Sequence, residues 1–216
     1  MRVCIGQWET PMPIEVPWPR KGDLLFDRTD DGWYNTTIGG AWNRWPVYAA
    51  GYKHGADVLV QHVVGTPAAQ ESLIYPIIFL YRHSLELALK HLILLGWTIM
   101  GRDGNGEPVT RQSKGVAKLF REHRLSSLWE KCRPVIEHLC PRDSRGDDDA
   151  VGDILKQFDG KDPLGQKFRY PADTDGNPFF SAPEQINIRH LADVANRVST
   201  FLDSCWDCFD SSNDGP

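Results

Sequence analysis

Arg82, His83, Glu86, Lys90 and His91 stand inside the most apolar stretch of the chain, between Leu-Ile-Tyr-Pro-Ile-Ile-Phe and Leu-Ile-Leu-Leu-Gly-Trp. These residue types suit chemistry on a phosphate. A guanidinium makes bidentate contacts to phosphate oxygens, a histidine moves protons near neutral pH, and a carboxylate orients both. At about 100° per residue, Arg82, His83, Glu86 and Lys90 share one stripe of a helix. The i,i+4 steps let Glu86 pair with either cation. Charges shielded from water are costly unless they are paired or line a cavity. Three arrangements fit: a structural ion network, a polar pocket, or a buried dimer interface.

Other candidates are more scattered. His123, in Glu-His-Arg-Leu-Ser-Ser-Leu-Trp, sits beside a helix start from which it could reach the stripe; its plainer role is a cap or a surface residue. Lys167, Arg169 and Tyr170 come together in Lys-Phe-Arg-Tyr-Pro and suit contact with an anion or a base; equally, Phe168 and Tyr170 could simply anchor a loop. Cys205-Trp-Asp-Cys208 has the spacing of zinc and redox sites, but no second such pair accompanies it, and zinc normally takes four ligands. The reading is therefore structural thiols, no metal and no cofactor. No glycine-rich phosphate loop follows a strand, and GxSxG and HExxH are absent.

The elements that must position these residues read as helices. Pro46 suits a first turn, and apolar spacing carries a helix to about Val64. A second helix is expected from Pro76 to a stop at Gly96, apolar nearly all round and hence central. A third region, Val116–Leu139, breaks near His123–Ser126, with Ser126 or Ser127 as cap and Pro134 as an end or kink. A further helix holds Ala150–Phe158, and the last runs from about Ile186 to Phe209 with a frayed tail at 211–216. Before it lies an ordered excursion rich in turn signals. Residues 1–45 are rich in Pro and Trp and read as an arm packed on the bundle, anchored by rings such as Trp8, Trp18 and Trp33. The expectation is an all-α bundle of four or five helices over residues 46–210. Among 216 residues, 41% are apolar and the net charge is −5, which argues against broad nucleic-acid binding but not against a local basic site. The five cysteines fit reduced thiols in a cytoplasmic protein, and no membrane span is expected.

Leu73–Leu92, followed by His-Arg-Leu-Ser-Ser-Leu-Trp and Lys-Phe-Arg-Tyr-Pro, resembles a bacterial group related to the HEPN (higher eukaryote and prokaryote nucleotide-binding) helical bundles. Tyr-Arg-His-x-x-Glu-Leu-x-Leu-Lys is the most specific part, and the resemblance covers about residues 46–200. It implies a homodimeric bundle acting in phage defence or a toxin–antitoxin system, with RNA or a nucleotide and an antitoxin or defence protein as partners. Catalytic members are metal-independent ribonucleases with an arginine and a histidine four to six residues apart. On that pattern Arg82 would hold the scissile phosphate, His83 or His123 would move protons, and Glu86 would orient the cations. Lys90, Arg169 and Tyr170 would hold the substrate. His91 lies too far from Arg82 for the pattern, whereas Arg133 and His138 have the spacing but carry Pro134 between them. The alternative is a non-catalytic module binding a nucleotide, nucleic acid or protein through the same stripe.

Overall fold

The computed structural model describes residues 18–28, 30, 32–39, 44–141 and 145–213. The chain divides into two compact units after Trp42. Within the first, the described residues 18–39 form turns and neither helix nor strand; Trp8 lies outside the described residues. The second unit is all-α. In chain order it contains α1 (Trp45–Gly65), a short 3-10 turn (Pro67–Ala69), α2 (Gln70–Met100), α3 (Lys114–Arg121), α4 (Leu125–Leu139), α5 (Arg145–Lys161) and α6 (Ile188–Asn213). No helix among the described residues is long and apolar enough to cross a membrane.

As the all-round apolar pattern predicts, α2 is the central helix, packed by α1, α4 and α6. It is longer than expected at both ends. Pro76 lies inside it; the carbonyl it leaves without a donor belongs to exposed Ser72, where water can serve it. Gly96 does not stop it either. A Cβ there would sit 2.0 Å from Val135 Cγ1, so this glycine lets α4 approach closely, and the left-handed Gly101 ends the helix instead. α6 likewise runs on to Asn213, past the expected end at Phe209.

The break at His123 is real, but its cap is not a serine. Arg124 stands at the N-cap of α4 without a side-chain bond. The Asp159 carboxylate of α5 accepts instead from Leu125 N–H at 3.0 Å and Ser126 N–H at 2.8 Å, a long-range cap that also faces the helix dipole. Pro134 remains within α4, and the residue four before it, Glu130, is exposed.

Two loops repeat one design. Asp103 and Asp173 each close a tight turn, their N–H groups bonding to Glu107 O and Asn177 O. Their carboxylates accept backbone N–H groups from Asn105 and Glu107, and from Asp175 and Asn177. Gly106 and Gly176 have φ of 80° and 85°, a conformation that favours glycine. The second loop shapes the excursion between α5 and α6.

The thiol expectation is corrected: Cys208 pairs with Cys140, tying the end of α6 to the end of α4. The partner lies 68 residues away, so the local CxxC spacing gave no hint of it. Cys132 is a buried thiol, and burial pushes its pKa well above the ordinary range.

Candidate functional site

Arg82 is among the largest fully buried side chains, at 1% exposure. Four of its five N–H groups are engaged. Nε donates to Asp162 O at 2.8 Å, Nη1 to Glu86 Oε2 at 3.2 Å, and Nη2 to His123 O at 2.6 Å and Pro163 O at 3.1 Å. Asp159 Oδ1 lies 3.9 Å from Nη2. One guanidinium therefore joins α2 to the α3–α4 break and to the loop leaving α5. Gly165 makes room for it: its φ is +70°, and a Cβ there would sit 2.7 Å from Nη1.

Glu86 is the centre of the stripe. Besides Arg82 it receives Lys90 Nζ at 2.9 Å and His123 Nδ1 at 3.0 Å, both on Oε1. Lys90 Nζ also donates to Phe120 O at 3.2 Å. Burial opposes the charge on Glu86, but Lys90 and His123 outweigh it and hold the carboxyl below its ordinary range. An ionised carboxylate only accepts, so His123 Nδ1 carries the proton and Nε2 is left for other partners. The His123 side chain is 49% exposed, against 2–5% for Arg82, Glu86 and Lys90. The cations of the stripe are inside; the histidine that meets them from the α3–α4 break, His123, is at the surface.

Glu86→Ala is expected to destabilise by about 3–5 kcal/mol, the cost of stranding buried partners, and Lys90→Ala by clearly less, because Glu86 keeps Arg82 and His123. Urea unfolding of both variants checks this; equal, small shifts would refute it. The sign with pH follows from the lowered pKa. The stability Glu86 contributes is present above its unfolded value and is lost as pH falls through its folded one.

His83 does not join this group. Its ring stacks on Phe79 at 5.6 Å with 9° between planes and meets the edge of Tyr52 at 4.5 Å. Burial draws its pKa below the ordinary value, with Glu86 opposing and the Lys90, Arg82 and Arg169 cations adding to the shift, which favours the neutral ring at pH 7. Arg169 stands in the same neighbourhood, its guanidinium 5.5 Å from the centroids of both Phe79 and Tyr170, with Nε held by Gly165 O at 2.6 Å. The sequence candidates thus divide into a closed network (Arg82, Glu86, Lys90) with His123 at its edge, and an outer ledge of Tyr52, Phe79, His83, Arg169 and Tyr170.

Arg133 is outside both, at the surface between Glu137 at 3.0 Å and Asp149 at 2.8 Å. His138 lies five residues on, roughly 140° round the helix. Sequence reasoning missed Asp159, Asp162, Pro163 and Gly165. Three of these act through backbone atoms or the lack of a side chain, which no residue-type pattern reveals. Among the described residues no group of three or more His, Cys, Asp or Glu is placed to hold a metal ion. No protein-family model, curated protein or solved structure matches this chain.

Proposed function

We propose that the protein is a non-catalytic helical module that binds a nucleotide or single-stranded RNA on the ledge of Tyr52, Phe79, His83, Arg169 and Tyr170. The observation that carries this is the burial of Arg82, whose donors are committed to carbonyls and to Glu86 and leave a phosphate no free fork. Arg169 is exposed and sits over two rings. A guanidinium beside aromatic rings suits a base stacked on the ring and a phosphate beside it. The buried network then has a positioning role, since Gly165 touches Arg82 and its carbonyl holds Arg169.

Fluorescence anisotropy with labelled oligouridylate tests the proposal. Phe79→Ala and Arg169→Ala are each expected to weaken binding about tenfold, within the worth of a stacked base. Absence of binding by the wild type, or unchanged affinity in both variants, would overturn it.

One observation favours a second reading, RNA cleavage in a defence or toxin–antitoxin setting: the half-exposed His123 is oriented by a buried carboxylate, as a general base should be. His123 would then take the 2′-hydroxyl proton. Cleavage in EDTA that is lost in His123→Ala and kept in Arg133→Ala would make this reading the better one.

A further inference from the structure

α3 gathers the positive charge that the chain as a whole lacks. From Pro108 to Arg124 stand five cations, Arg111, Lys114, Lys118, Arg121 and Arg124, against one carboxylate, Glu122, in a chain whose net charge is −5. Glu122 is already engaged by Lys131 at 3.5 Å. At about 100° per residue, Lys114, Lys118 and Arg121 fall within about 60° of one another on α3. All three are exposed, whereas Gly115, Val116 and Leu119 are buried on the other side of the helix. None of the three cations has an ion-pair partner among the described residues.

This clustering works against the helix. Like charges three and four residues apart repel on a helix surface. Lys118 and Arg121, in the last turn, suit the helix dipole, but Lys114 stands in a first turn that holds no acidic residue and faces the dipole's positive end. A row of anions along the face would turn both repulsions into attraction. The row also leads to the ledge. His123 follows Arg121 at the α3–α4 break, and its carbonyl accepts from Arg82 Nη2 at 2.6 Å. The loop that carries Arg169 meets the same guanidinium through Asp162 O and Pro163 O, and Gly165 O holds Arg169 Nε at 2.6 Å. One buried guanidinium thus separates the end of the basic face from the exposed Arg169.

We propose that the outer face of α3 is a phosphate track for single-stranded RNA, carrying on the strand that the ledge holds from Arg169, past Arg124, to Arg121, Lys118 and Lys114. The inference rests on the ledge reading and extends it from a stacked base to a strand of several nucleotides. Lys114 to Arg121 covers about 10 Å of helix, the length of about three phosphates of a stacked strand at roughly 3.4 Å each. Phosphate contacts position a strand without reading its sequence, and stacking on aromatic rings is tolerant of the base. The site therefore selects for strand length and charge rather than for sequence.

Fluorescence anisotropy with labelled oligouridylates of about two and about twelve residues separates the track from the ledge. The wild type is expected to bind the long strand more tightly than the short one. A variant combining Lys114→Gln, Lys118→Gln and Arg121→Gln is expected to bind the long strand about tenfold more weakly. Its log–log salt dependence should be shallower by about 2, since each single-strand phosphate contact contributes about 0.7. Binding of the short strand should stay within about twofold of wild type, and the urea midpoint should not fall, because the changes remove repulsion. Arg189→Gln, at an exposed position on α6, controls for net charge and is expected to leave both affinities unchanged. If the short strand binds but the triple variant keeps the wild-type affinity and salt slope for the long one, the track is overturned and the ledge stands. Failure of the wild type to bind either strand would overturn both. An equal affinity for polyglutamate of matching length would overturn RNA as the occupant and identify an acidic protein partner instead.

Discussion

Arg82→Lys is expected to cost about 3–5 kcal/mol of stability although it preserves the charge. Lysine offers three donors at one point where the guanidinium spreads its donors over Asp162 O, His123 O, Pro163 O and Glu86. At least two of these carbonyls, the buried one of Asp162 among them, risk losing their partner, at about 1–3 kcal/mol for a buried group. Because those carbonyls belong to different segments, the loss loosens both the α3–α4 break and the loop that carries Arg169. Typical total stabilities are about 5–15 kcal/mol, so the shift in urea midpoint would be large. Arg169→Lys, at an exposed position, is expected to stay within about 0.5 kcal/mol. A midpoint for Arg82→Lys close to that of wild type would show that Arg82 is not the staple described above. The pair of variants also separates structure from binding: Arg169→Lys should lose affinity for RNA without losing stability.

Opening the Cys140–Cys208 disulfide is expected to lower stability by about 4 kcal/mol, the chain-entropy value for a closed loop of this length. The loop spans 68 residues and contains all of α5, the excursion and most of α6. Urea unfolding with and without reductant measures the difference, and Cys208→Ser should reproduce the reduced protein. Cys132, fully buried with its pKa raised, is expected to resist alkylation until the protein unfolds. An unchanged midpoint on reduction would mean that the cross-link does not constrain the unfolded chain.

Much of the fold was legible because it rests on periodicity. The all-round apolar pattern around Leu85, Leu89 and Leu92 can be satisfied only by burying α2 on several sides, and the i,i+4 spacing of Arg82, Glu86 and Lys90 brings those groups within reach on any helix. His123 could be linked to them because the broken third region had to turn there. His83 shows where this reasoning stops. It shares the stripe by angle, yet its ring takes the direction set by Phe79 and Tyr52, and Tyr52 comes from another helix.

What the sequence by itself determined, then, is the helical register: which residues face inward together, and that a carboxylate between two cations must be paired there. Only the tertiary structure decided who the remaining partners are. The cap of α4 comes from Asp159, the ligands of the Arg82 guanidinium are backbone carbonyls, and Cys140 meets Cys208 across 68 residues. The physical reason is separation along the chain. Neighbours three or four residues apart are dictated by the pitch of one helix, whereas these contacts exist only after several helices have packed. Carbonyl groups, moreover, are the same at every residue, so their use leaves no trace in residue type.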